Sequence, residues 1–398
     1  MAQASRAATH DIVSRDTLER AMLIINDLPG AQVVRADIQP GEAVGTSDFI
    51  VETIATAPQQ GYVLMDNHGS RYTGVNRLSF GLDVNSPAGE GDRFSVSGLG
   101  ATNGRLYNGR LAYSTLISAS GWRAELSGSQ TTYWLGDAYK SLDALGIAEG
   151  YDLGLTYPIL RTQAQTLELG LTYAHRTLND QVRSTDTDTR KQSNANSAQL
   201  TLRDEHDLFT LNGVTQGQLK FTQGSLSIRD AASQQLDQAV GGANTAGRYN
   251  KLNASLSRSM LLPQNLVLSA NVRRQYVRDG KNVDGSERMA ISGANAVMAY
   301  PMGEAAGTDA TLTGLELSQA LPSIGGLQHQ WQLFTNAGRA RTLKQSDLKE
   351  IRDVGVGWNA KTQDGLLVKA YWARRLSDQA VSEPDHSSRF LIQAGWMF

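Results

Sequence analysis

From Gly61 to the last residue, apolar and polar side chains take turns along the chain. Leu78, Phe80, Leu82 and Val84 are separated by Ser79, Gly81 and Asp83, and Trp122, Ala124 and Leu126 by Arg123 and Glu125. The same period runs through Phe94 and Val96, through Leu167, Leu169, Leu171 and Tyr173, through Leu252, Ala254 and Leu256, and through Val354, Val356 and Trp358. Successive side chains of an extended strand point to opposite faces, so each segment predicts a strand with one apolar and one wet face. The last strand is the most telling. Phe390, Ile392, Ala394, Trp396 and Phe398 share one face, with Arg389, Gln393 and Gly395 on the other. A transmembrane barrel has reason to end this way, because its closing strand turns the apolar face to lipid and sets the final aromatic in the interfacial girdle.

The connections alternate in kind. Short turns are predicted at Asn85–Asp92, Ser118–Gly121, Pro263–Asn265 and Thr362–Gly365. Between them lie long polar connections at 136–150, 179–197, 230–247, 279–309 and 377–387. Short turns at one end and long loops at the other are the outer-membrane arrangement, and about sixteen antiparallel strands leave an aqueous channel. A soluble sandwich or propeller fits less well, since the apolar faces are seldom bulky enough for a dry core and no repeat of 40 to 50 residues stands out.

The stretch from Ser14 to Ala55 reads differently. Leu18, Ala21, Ile24, Ile25 and Leu28 fall on one helical face, with Asp16 as N-cap, Glu19 as its capping-box partner and Leu28-Pro29-Gly30 as the stop. Strands over 33–38 and 49–54 follow, making a small α+β unit.

Composition narrows the function classes. The chain has 398 residues, 19% charged, 39 glycines, no cysteine and a net charge of -2; mean hydropathy is -0.34. Its polarity therefore comes largely from Ser, Thr, Asn, Gln and Gly, and the near-neutral charge gives no reason to expect nucleic acid. No apolar run reaches the roughly 18 residues of a membrane helix. Met1-Ala2-Gln3-Ala4-Ser5 resembles the tail of a signal-peptide cleavage site without the segment before it, so the chain is expected to be N-terminally truncated. The six histidines show no metal spacing. Glu205-His206-Asp207 lies beside a predicted turn and is read as surface charge. Asp186 and Asp188 lack the glycine and glutamate of a calcium loop. Gly98, Gly100 and Gly104 open no helix and are no dinucleotide fingerprint. Arg273, Arg274 and Arg278 form a basic run read as a solvated rim, with contact to lipopolysaccharide or a passing chain as the alternative. No catalytic residue, metal ligand or cofactor is assigned.

Several runs are similar to one family. Leu18-Glu19-Arg20-Ala21, Leu28-Pro29-Gly30, Pro40-Gly41 and Gly45-Thr46-Ser47-Asp48 resemble the second POTRA module of two-partner secretion transporters, the haemolysin-activator and haemagglutinin-exporter family. Asp66-Asn67-His68-Gly69-Ser70-Arg71-Tyr72-Thr73-Gly74 resembles the first barrel hairpin of that family, and Asn85-Ser86-Pro87 through Gly91-Asp92 its first periplasmic turn. The resemblance implies a partial POTRA module over residues 1–56 and an outer-membrane barrel over 57–398, with loop 279–309 folding into the lumen. It implies export of a large β-rich exoprotein without nucleotide hydrolysis, the POTRA remnant (Leu18, Arg20, Val34, Phe49, Val51) receiving the cargo. Expected partners are the exoprotein, outer-membrane lipid and lipopolysaccharide, and the barrel assembly machinery, which reads Phe390, Ile392, Trp396 and Phe398. A passive porin or an assembly factor is the alternative; an outer-membrane lipase lacks a Ser/His constellation.

In this family the lumen loop usually reads Val-Arg-Gly/Ala-Tyr/Phe, and its arginine pairs with an aspartate in a Phe-x-Asp-x-Gly strand. Here the loop stretch contains Gly293, Asn295, Val297, Met298, Ala299, Tyr300, Pro301, Gly303 and Glu304, and the strand stretch Phe334, Asn336 and Gly338. Met298 stands where arginine is expected and Asn336 where aspartate is expected. Removing one member of a buried ion pair costs roughly 3–5 kcal/mol, whereas replacing both can be near neutral. The two are read as a compensated uncharged pair, with the Asn336 amide bonding loop backbone.

Overall fold

The computed structural model describes residues 14–43, 45–207, 211–383 and 386–398. The chain opens with helix α1 (Arg15–Asn26) and the antiparallel pair β1 (Ala31–Pro40) and β2 (Ser47–Ala55). The N-cap is Ser14, not Asp16: its side chain accepts from the Thr17 N–H at 3.2 Å. Glu19 makes no capping box and instead accepts from the Gln163 N–H, because the helix is seated on the barrel. Arg161 clasps Asp27 at 2.8 and 2.9 Å, Arg20 donates to the Pro158 carbonyl, and Ile24, the buried residue of the helix, sits beside Gly121.

Among the described residues, sixteen antiparallel strands close a barrel. They are β3 (Gln59–Asp66), β4 (Arg77–Asn85), β5 (Arg93–Ala101), β6 (Leu106–Leu116), β7 (Arg123–Trp134), β8 (Ala144–Arg161), β9 (Gln165–Val182) and β10 (Thr187–Asp204). After these come β11 (Gly213–Ile228), β12 (Gly247–Leu262) and β13 (Leu266–Val277). The long loop carries a two-residue ladder, β14 (Met289–Ala290) with β15 (Ala306–Gly307). The wall then resumes with β16 (Asp309–Ile324), β17 (Leu327–Arg341), β18 (Lys349–Lys361), β19 (Leu366–Arg375) and β20 (Ser388–Met397).

The apolar rows face outward. Leu126 is 62% exposed and Phe390 58%, whereas Leu391, one residue on, is 2% exposed. At the short-turn end Trp122 stacks on Tyr157 with ring centroids 4.9 Å apart, as an interfacial girdle does. The seam closes where β20 pairs with β3 from Gln393–Asp66 to Met397–Tyr62. Phe398 finishes it, exchanging backbone bonds with Gly61. Its ring lies so close that a Cβ on Gly61 would stand 2.8 Å from it. Gly61→Val is therefore expected to unseat the terminal aromatic and lower the yield of heat-modifiable, folded barrel; wild-type yield would show that the seat is dispensable.

One of the expected loops is largely strand and a second is partly so. Residues 179–197 contain only the four-residue turn 183–186, since β9 and β10 pair out to Val182–Thr187, and β8 begins at Ala144 within the expected 136–150 loop. Their outward residues, such as Thr177, Gln192 and Asn194, are polar, so alternation vanishes while Thr, Asn and Gln still pair across strands. This ribbon runs on past the apolar band.

Candidate functional site

The loop between β13 and β16 lies against the inner wall. Ile291, Val297, Ala299 and Tyr300 are each at most 1% exposed and form one buried cluster with Ala310, Leu312, Phe334, Ala340, Ile351 and Ala373. A tight turn shapes the tip: Gly293, at φ +101°, accepts from the Ala296 N–H, and Ile291 accepts from the Val297 N–H. Gly338 makes the close approach possible, since a Cβ there would meet the Ile291 Cβ at 3.0 Å and Val297 at 3.3 Å. Gly338→Leu is expected to push the loop off the wall and raise single-channel conductance several-fold. An unchanged conductance would mean the loop does not close the lumen.

The charge at the tip is not where the loop and strand motifs place it. Met298 packs at the edge of the buried cluster. Asn336 faces inward, but among the described residues its amide donates to no loop backbone; its N–H and its Nδ2 both donate to Asp353 Oδ1, at 3.1 and 3.0 Å. Asp353, directly opposite on β18 and fully buried, is the residue that holds the loop, accepting from the Ala299 N–H at 2.9 Å. The expected bond from the Asn336 amide to loop backbone is thus corrected: the amide orients the Asp353 carboxylate on the neighbouring strand, and that carboxylate meets the loop. Arg375 sits opposite Asp353 on β19, with its guanidinium 5.9 Å from the Tyr300 ring centre. The Tyr300 hydroxyl donates to the Asp378 carbonyl at 2.7 Å. Asn295 is exposed, and its carbonyl accepts from Arg273.

Glu304 ties the loop to the 376–387 connection. Its carboxylate accepts from the Val381 and Ser382 N–H groups at 2.8 and 3.1 Å, from the Ser382 hydroxyl at 2.6 Å and from Lys349 at 2.6 Å. Burial pushes this carboxyl up, but Lys349, Ser382 and the backbone donors outweigh it and hold it below its ordinary range. A depressed carboxyl keeps its stabilising contact above the free glutamate pKa and loses it as pH falls through the depressed value. Acidification from about pH 7 to about pH 5 should leave this contact intact, with release only below about 4.3. Protease access to 376–387 reads the outcome; release already near pH 6 contradicts it.

The stem is fastened to the neighbouring part of the wall, β10 to β13. Lys191 bridges Asp284 at 2.9 Å and Asp180 at 3.1 Å, and Lys251 pairs with Glu287. Gln275, 2% exposed, donates to the Glu287, Gly307 and Thr308 carbonyls. Sequence reasoning missed these residues. The available signal was inward parity for Lys191, Lys251 and Gln275 beside two acids in the loop.

The family model for the haemolysin secretion/activation protein ShlB/FhaC/HecB matches residues 45–360. This chain belongs to that family. It is 24% identical over 388 residues to the heme/hemopexin transporter protein HuxB of Haemophilus influenzae, matching 95% of this chain and 67% of that one. A second HuxB, from strain 86-028NP, is 26% identical over the same length. The fold matches CdiB from Escherichia coli (TM-score 0.81, 18% identity, all of this chain and 74% of that one). It also matches CdiB from Acinetobacter baumannii (TM-score 0.75, 16% identity, 98% of this chain and 69% of that one). A BamA from Haemophilus ducreyi lacking POTRA domains 1–3 is more distant (TM-score 0.59, 14% identity, 96% of this chain and 77% of that one). The chain is an outer-membrane two-partner secretion translocator, which makes the short-turn end periplasmic and the long-loop end extracellular.

The remaining candidates of this secretion-family chain fall as follows. Leu18 and Arg20 are half-buried on α1. Phe49 and Val51 are half-buried on β2, but Val34 sits at a register shift in β1 and is 50% exposed, so it does not join them. Phe390, Ile392, Trp396 and Phe398 form one outward row. Pro301 is buried beside the tip, while Gly303, at φ +84°, turns the chain toward Glu304. In the first hairpin Asp66 pairs with Arg77 at 2.9 Å and accepts from the His68 N–H. His206 bonds Asp204 and Glu205 bonds Arg203 at the periplasmic end, so Glu205, His206 and Asp207 do not converge. Asp188 pairs with Arg190, and Asp186 caps a turn.

Proposed function

We propose that this barrel carries one large β-rich exoprotein from periplasm to cell surface, driven by cargo folding outside rather than by nucleotide hydrolysis. The observation that supports it is a sixteen-strand barrel whose own loop lies against the inner wall, held by side-chain contacts that can be broken and remade. An extended polar backbone needs such a wet passage, because unpaired amides cannot cross hydrocarbon. In this reading residues up to 56 belong to a second POTRA module. The β1–β2 sheet exposes an edge and apolar side chains (Ile38, Ile50, Ile54) to which a cargo segment can add as a strand. The barrel assembly machinery inserts the chain by its Phe390–Phe398 row, and outer-membrane lipid surrounds it. Nothing in the reading asks for catalysis.

The test is cargo display. Cells lacking this gene and expressing a large β-rich secreted protein from the same genome as candidate cargo should retain that protein in the periplasm, and complementation should return it to protease-accessible surface. Equal display with and without the gene would end the export reading. A steady, large small-solute conductance of the wild-type protein with unaffected cargo would favour a porin instead.

A further inference from the structure

Export leaves unused a feature on the outside of the wall that holds the loop. Strand parity points Arg274 (β13), Arg339 and Arg341 (β17), Arg352 (β18) and Arg374 (β19) outward, and all five are exposed. They are neighbours. Arg274 pairs in register with Thr311, Thr311 with Arg339, and Arg339 with Glu350. Arg352 is the next outward residue of β18, and Arg374 flanks it beside Val354. The basic run read from sequence is split by the same parity: Arg273 turns inward to the loop, Arg274 outward to this sector.

Two observations separate this sector from an ordinary solvated rim. The first is height. The next outward residue toward the membrane is Val272 below Arg274, Val354 below Arg352 and Trp372 below Arg374, all exposed apolar side chains of the lipid-facing band. The guanidinium groups of Arg274, Arg352 and Arg374 therefore stand at the headgroup level, Arg339 is in line with Arg274 through Thr311, and Arg341 lies one outward position above. The second is charge. Glu350 serves Arg339 at 2.9 Å and Arg352 at 3.5 Å. Arg274, Arg341 and Arg374 form no ion pair among the described residues, and Arg274 bonds only the neutral Thr311 hydroxyl, at 2.5 Å. On the far side of the barrel the outward residues above the band are Gln130, Glu149, Thr177 and Gln192, neutral or acidic.

We infer that this arginine sector binds the phosphates of the outer leaflet's phosphorylated glycolipid, lipid A. Planar guanidinium groups match phosphate oxygens bidentately and are weakly hydrated, which suits them to the interface. The inference rests on the outer-membrane reading and adds a partner to one sector. The consequence is mechanical. Lys349, Ile351 and Asp353 hold the loop from inside the strand whose outward residue Arg352 meets the lipid, so lipid A steadies that wall while the β20–β3 seam has no such anchor.

The test uses the purified protein in detergent, with bound lipid counted by native mass spectrometry. The R274Q/R341Q/R374Q variant removes the three cations that take part in no ion pair among the described residues, so folding, checked by heat modifiability, should persist. Bisphosphorylated lipid A should bind this variant at least tenfold more weakly than wild type. Lipid A stripped of phosphate should bind wild type as weakly as the variant, and millimolar inorganic phosphate should not displace the lipid. R190Q/R229Q, changed on the extracellular extension of β10 and beyond β11, should bind as wild type. Equal lipid A affinity in the triple variant overturns the proposal, as does tight binding without phosphate, displacement by free phosphate, or the same loss in the control. Cargo display by the same variants is scored separately, so failure here leaves the export reading standing.

Discussion

Asp353→Ala is expected to free the loop tip and reduce cargo display at least tenfold. The carboxylate accepts from the Ala299 N–H and from two donors of Asn336, all within 3.1 Å, and is fully buried. A buried donor left without an acceptor costs roughly 1–3 kcal/mol, and of these three donors only the Ala299 N–H belongs to the loop, so docking of the tip loses about 1–3 kcal/mol, less what is regained by no longer burying a charge. For a tip packed in the apolar cluster, with its polar ties at Glu304, Asp284 and Glu287 lying away from the tip turn, that loss is enough to change which position the tip prefers. Asp353→Asn keeps an acceptor oxygen for Ala299 and should retain part of the docking. Cleavage of residues 293–304 by external protease reports the loop, and surface cargo reports export. A loop equally resistant in Asp353→Ala would show that Asp353 is not its holdfast.

The second large effect comes from restoring what the family usually carries. Asn336→Asp puts a second carboxylate where the amide now donates to Asp353 at 3.0 Å, exchanging a hydrogen bond for repulsion between two buried anions. A destabilisation of roughly 3–5 kcal/mol is expected, seen as earlier unfolding in detergent. Adding Met298→Arg supplies a cation from the loop beside both carboxylates and should recover most of the loss. The double-mutant cycle should give a coupling of at least about 2 kcal/mol, beyond what independent sites show. Additive effects would mean that Met298 does not reach this wall.

The residues at this site were legible to different degrees. Phe334, Asn336 and Gly338 were marked by their resemblance to a family strand motif, and period two puts the three on one face, inward once the other face must meet lipid. The loop stretch from Gly293 to Glu304 was found through its resemblance to a family motif. Asp353 was not found, since it lies 17 residues beyond Asn336 in sequence and becomes its neighbour only through the β17–β18 register. The same applies to Lys191 and Asp284, which are 93 residues apart and meet as an ion pair. The expected loop at 179–197 failed for another reason: above the membrane both faces of a strand are wet, so the alternation that marks a strand disappears while the hydrogen-bond ladder continues.

Alternation of side chains was sufficient for the class of the molecule, the outward rows and the ends of most strands, because in hydrocarbon every backbone amide must find its partner within the sheet and every outward side chain must be apolar. Strand pairing and loop placement decided the chemistry at the wall. Which carboxylate meets the loop, which arginine turns to the lumen and which to the surface, and what Glu304 holds all depend on contacts between segments far apart in the chain. No local pattern encodes these, since the free energy of such a contact exists only once the cylinder has closed around the loop.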